Sequence, residues 1–122
     1  VDIFRFDENV AVQINRFDSN FLMSKVIQTT MESSVGCIHI SAHGVVGYHQ
    51  AVTDQLFLVV QGNGWVTGKE RKKISVQNGC AVFWSRGEWH ESGTEVGMTA
   101  IVIESEKLDP TKFMPIKQDH KA

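Results

Sequence analysis

The sequence predicts an all-β fold, a sandwich or barrel of short antiparallel strands, and three observations carry that prediction. Short runs rich in Val, Ile, Phe and Trp recur with turn residues between them. All ten glycines fall between Gly36 and Gly97. No segment from Gly36 to Glu104 carries apolar residues at the i, i+3, i+4 spacing of an amphipathic helix. The strands predicted are Val35 to Ile40, Leu56 to Val60, Trp65 to Thr67, Lys73 to Val76, Ala81 to Trp84 and Thr99 to Ile103. Gly62-Asn63-Gly64, Gly68, Asn78-Gly79 and Arg86-Gly87 supply the turns between them. Antiparallel strands must hide their edges, which favours closure or the packing of a second sheet.

The flanks read differently. Phe4, Phe6, Phe17 and Phe21 offer core-sized side chains near the start, and Asp18-Ser19-Asn20 reads as a turn between two extended pieces. The tail from Lys107 alternates charges with isolated apolar residues around Pro110 and Pro115. It is expected not to continue a ladder, but to wrap a neighbour or stay disordered. The organisation is one domain: residues 1–34 as N-terminal strands and loops packing on the core, 35–104 as the core barrel, and 105–122 as a tail.

A chain of 122 residues can bury enough surface to fold without disulfides or structural metal, so a bound metal would be functional. Twelve Lys+Arg against 14 Asp+Glu give a net charge of −2, which argues against a nucleic-acid partner. No apolar window is long enough to span a membrane, and Asp2, Asp7 and Glu8 stand where a signal peptide would carry base, so a cytoplasmic protein without membrane partners is expected. Cys37 and Cys80 lack CxxC spacing and fit two reduced, partly buried thiols. Lys69 to Lys73 reads as a solvated hairpin tip.

Two stretches concentrate the groups suited to metal or acid–base work. The first runs from Gly44 through His49, Ala51 and Gln55 to Gly62. If it stays extended, His49, Ala51, Gln55, Phe57 and Val59 share one face. The second runs from Gly79 through Trp84, Ser85, Gly87, Glu88 and His90 to Thr94, a strand, a tight turn and the start of the next strand.

Together these stretches resemble the two motifs of the cupin superfamily. In the first, G(X)5HXH(X)3,4E(X)6G, His49 takes the first His position, Ala51 the second, Gln55 the Glu and Gly62 the final Gly, while Gly44 opens it one residue short. In the second, G(X)5PXG(X)2H(X)3N, Gly79, Gly87 and His90 match, with Ser85 in place of Pro and Thr94 in place of Asn. The resemblance covers roughly residues 35–104. It implies a small jelly-roll barrel in which three His and one Glu converge on a divalent metal. Of that set His49 and His90 remain, and Gln55 offers a neutral amide, so the resemblance implies an Fe, Mn, Ni or Zn site at His49, Gln55 and His90, with open positions for a small molecule. It also implies a homodimer formed through N-terminal strands or sheet faces.

Replacements for the missing ligands are few. Glu88 lies in the turn and could fold back into the pocket, whereas Glu91 alternates with His90 and should face away. His39 faces the pocket only if Ile38 and Ile40 face out, His43 belongs to a turn, and His120 lies in the tail. Among Trp65, Trp84, Trp89, Tyr48 and Phe57, the pocket walls expected are Phe57 by parity and Trp84 or Trp89 by nearness to His90. Three functions fit: a small-molecule-binding, metal-dependent cupin; a non-catalytic ligand-binding or sensory module with a decayed metal site; and a metal-free acid–base isomerase.

Overall fold

The apolar runs become strands, and the glycines between them set where the chain changes direction. The computed structural model describes residues 1–117. Its strands are β1 (Asp2–Arg5), β2 (Val12–Ile14), β3 (Phe21–Met23), β4 (Ser33–Ile40), β5 (Val45–Gln50), β6 (Asp54–Thr67), β7 (Ile74–Gln77), β8 (Cys80–Trp84), β9 (Trp89–Gly93) and β10 (Met98–Ser105). Single 3-10 turns occupy Glu8–Val10 and Arg16–Asp18. Every strand pairing is antiparallel. No helix among the described residues is long and apolar enough to cross a membrane.

One layer runs β1-β8-β6-β10-β4, and β5, β9 and β7 form a second layer with the C-terminal part of β6. The core lies between them, where Phe57, Val59, Val82, Trp84, Ala100 and Val102 of the first layer meet Val66 and Val76 of the second. This is an all-β jelly roll. The unbroken apolar run Leu56 to Val59 is buried throughout because the outer face of the first layer is covered as well. Leu56, Leu58 and Ala81 pack there against Phe4, Leu108 and Met114, with Val26 and Ile27 alongside.

The structure corrects three details of the sequence reading. Gly62-Asn63-Gly64 is no hairpin turn: β6 runs through it as a 14-residue strand that passes from one layer to the other. Gly62 makes that crossing with φ of 81°, beside a register shift between Thr99 and Ala100 of β10. The tail does add to a ladder. Ile116 bridges Phe4, the Arg5 amide donates to the Pro115 carbonyl at 2.9 Å, and the Lys117 amide donates to the Ile3 carbonyl at 2.7 Å. Pro115 has no N–H to offer, and this register asks it only for its carbonyl. Finally, Phe17 is 90% exposed and Phe21 44%, so of the four N-terminal phenylalanines only Phe4 is fully buried. Asp18-Ser19-Asn20 does lie in the turn of a hairpin, β2–β3, which pairs with no other strand, whereas β1 joins the main layer beside β8. Cys37 is exposed, Cys80 buried, and both thiols are free. His120 lies outside the described residues.

Candidate functional site

His49 on β5 and His90 on β9 are direct cross-strand partners. Cross-strand partners share a face of the sheet, and the two rings lie with centroids 4.4 Å apart at 53°. The pairing register slips between Val46 and His49, and Gly47 lies within the slip. There the Gly47 carbonyl accepts from His49 Nδ1 at 2.6 Å. Two residues before His90, the Glu88 carbonyl lies 3.2 Å from His90 Nδ1 in the same way. A carbonyl can only accept, so each bond fixes the proton on Nδ1 and leaves the Nε2 lone pair of the neutral ring free. Neither imidazole is hydrogen-bonded to a carboxylate.

His90 is buried at 2% exposure and rests on Trp84, with ring centroids 4.2 Å apart at 25°. Trp84 in turn meets the edge of Phe57 at 5.7 Å, and its indole N–H donates to the Thr67 carbonyl at 2.9 Å. Burial holds the His90 pKa below the ordinary imidazole value; the hydrogen bond to the Glu88 carbonyl opposes it, the neighbouring His49 adds to the depression, and the Glu88 carboxylate opposes it least. His90 is therefore neutral at pH 7. His49 is exposed, so the pair joins the interior to solvent.

Gln55 reaches the same region by a different route from the one its spacing suggests. The chain turns a corner at residues 51–53, so His49 and Gln55 stand on different strands rather than on one extended face. Ala51, at the position of the missing second His, is buried at 5%. Gln55 is the register partner of Trp84 and so shares its inward face. Phe57, Trp84, Gln55 and the two imidazoles thus belong to one inward-facing region, assembled because the two layers face each other.

Other candidates go elsewhere. Glu88 Oε1 accepts from the Ser85 amide at 3.1 Å and Oε2 binds the amino group of Val1, so its carboxylate belongs to the turn while its carbonyl serves His90. Glu91 pairs with Arg71 at 3.1 Å. Trp89 lies on the face opposite His90, 42% exposed and stacked on Tyr48 at 5.3 Å, because adjacent residues of a strand point to opposite sides. Trp65 lies under Lys73, whose Nζ is 4.2 Å from the ring centroid. His39 is exposed while Ile40 is buried, and His43 pairs with Glu95 at 2.9 Å in an exposed turn. Among the described residues, no three His, Cys, Asp or Glu side chains converge closely enough to hold a metal ion.

One residue of this region escaped the sequence reading. Glu104 of β10 is the register partner of both Gln55 and Ser34, which places its side chain on the inward face beside Gln55. Met98, Ala100 and Val102 are buried at alternate positions of β10, whereas Glu104, next in that alternation, is exposed, with Ser105 buried beside it.

No family model matches the sequence, and no curated protein does. Its fold matches solved structures. A cupin superfamily protein from Desulfitobacterium hafniense aligns with a TM-score of 0.57 at 15% identity, covering 66% of this chain and 72% of its own. KdgF from Halomonas sp. aligns at 0.55 and 23%, covering 78% and 79%. The polyketide cyclase RemF from Streptomyces resistomycificus aligns at 0.56 and 19%, covering 72% and 64%. With two antiparallel layers around one core and these neighbours, the chain has the cupin fold.

Proposed function

We propose that this chain is a small-molecule-binding cupin-domain protein whose ligand is taken up at His49 and His90, through a divalent metal ion held by the two Nε2 atoms and the Gln55 carbonyl oxygen. The observation that carries this reading is the commitment of both Nδ1 atoms to backbone carbonyls, which leaves two neighbouring Nε2 lone pairs as acceptors. Second hydrogen bonds of this kind orient metal-binding histidines and fix their tautomer. Imidazole and amide donors suit Fe, Mn, Ni or Zn, and a bound ion would supply Lewis-acid polarisation to a ligand oxygen. Metal-free acid–base chemistry is less favoured, since among the described residues neither ring is hydrogen-bonded to a carboxylate. Isothermal titration of tag-free protein with Ni²⁺ is expected to show one site per chain, with affinity at least about tenfold weaker in His49→Ala. Equal affinity in the two proteins, or none in either, would overturn the reading.

We also propose a homodimer. The β2–β3 hairpin stands apart from the main sheet with Val12, Phe21, Leu22 and Met23 exposed, over a cavity of about 340 Å³ lined by Val12, Ile14, Met23 and Phe113. A lone two-stranded hairpin is marginal in water, and a second copy would cover this surface. Sedimentation equilibrium at micromolar concentration should return about 27 kDa, twice 13.7 kDa. A mass near 13.7 kDa would contradict it.

A further inference from the structure

We infer that Glu104 is the positioning residue of the site: its carboxylate holds the Gln55 amide and supplies the negative charge that the His49, His90 and Gln55 donor set lacks. This inference rests on the metal-binding reading above. Two imidazoles and an amide are all neutral, and a dication on them needs a nearby anion. The carboxylates close in sequence are committed elsewhere, Glu88 to Ser85 and the Val1 amino group, Glu91 to Arg71.

Glu104 differs from both. It lies directly across from Gln55, exposed at the open end of the face that Gln55 and Trp84 share, and among the described residues its carboxylate has neither a hydrogen bond nor an ion pair. The Gln55 amide likewise has no hydrogen-bond partner among them. Two uncommitted polar side chains on facing cross-strand positions are within reach of each other by rotamer change, since opposed Cβ atoms lie roughly 4.5–5.5 Å apart. An amide has two ends. With its NH₂ donating to Glu104, the Gln55 carbonyl is the end left to face the imidazoles, and the carboxylate polarises the amide so that this oxygen becomes a better donor to a cation. Glu104 acts through Gln55, because among the described residues no third acidic or imidazole side chain stands close enough to the histidine pair for direct ligation.

Ni²⁺ itself is the probe, measured by titration calorimetry on tag-free protein. Glu104→Gln keeps the shape and removes the charge, and it should weaken Ni²⁺ binding roughly 10- to 100-fold while leaving the melting temperature of the metal-free protein unchanged. Glu104→Asp should recover most of the affinity. In a Gln55→Leu background, Glu104→Gln should cost much less than it does alone, which a separate structural role would not produce. Wild-type binding that His49→Ala weakens but Glu104→Gln leaves within twofold would overturn the role of Glu104 and leave the metal-binding reading standing. Wild-type protein without Ni²⁺ binding would overturn both.

Discussion

Trp84→Ala is expected to lower the unfolding free energy by about 3–5 kcal/mol, a large share of the roughly 5–15 kcal/mol that holds a domain folded. Trp84 is 1% exposed and makes three contacts, two of them to the other layer. Its ring face carries His90 at 4.2 Å, its body receives Phe57 edge-on at 5.7 Å, and its N–H satisfies the Thr67 carbonyl at 2.9 Å. Alanine removes all three, opening a cavity and leaving a buried carbonyl without its donor. Trp84→Phe keeps part of this: a smaller ring remains, the N–H and some ring volume are lost, and the cost should fall to about 1–3 kcal/mol. Urea unfolding followed by far-UV circular dichroism measures both, and a loss under about 1 kcal/mol in the alanine variant would show that Trp84 is not a central pillar of the core.

The sequence disclosed the strands better than the way they assemble. Leu56 to Val59 and Ala81 to Trp84 announce themselves because β-branched and aromatic runs bounded by glycine have few other uses. Which face a residue takes is legible only while the strand stays straight. The parity argument that grouped His49 with Gln55 assumed one extended segment, and the corner at residues 51–53 broke it. The two residues still belong to one region because Trp84, in register with Gln55, lies beneath His90 from the other layer. Glu104 went unseen for a related reason. It is remote in sequence from the histidines, and its link to Gln55 is a cross-strand register, which no local pattern encodes. Trp89 is the converse case, adjacent to His90 in sequence yet turned to the opposite face.

Gly62→Val is expected to cost roughly 4 kcal/mol or more, through backbone strain and a direct clash together. Gly62 sits at φ of 81°, where a β-branched residue is an outlier, and a Cβ there would fall on the Gly97 carbonyl oxygen. Relief is not available from the neighbour, because Gly97 itself sits at φ of 115° next to Met98, the register partner of Gly62. The crossing of β6 between layers is thus built from two left-handed glycines in contact. The turn joining β7 to β8 hangs from the same place, with the Asn78 amide donating to the Gly62 carbonyl at 3.1 Å and the Gly79 amide to the Val59 carbonyl at 2.9 Å. Moving Gly62 aside would therefore displace β8, and with it Trp84 and the platform under His90. Gly36→Ala is the matched control: a Cβ there meets nothing within 4 Å, and the change should stay within about 0.5 kcal/mol. If urea midpoints placed the two variants together, the bend at Gly62 could not be what lets one long strand serve both layers of the fold.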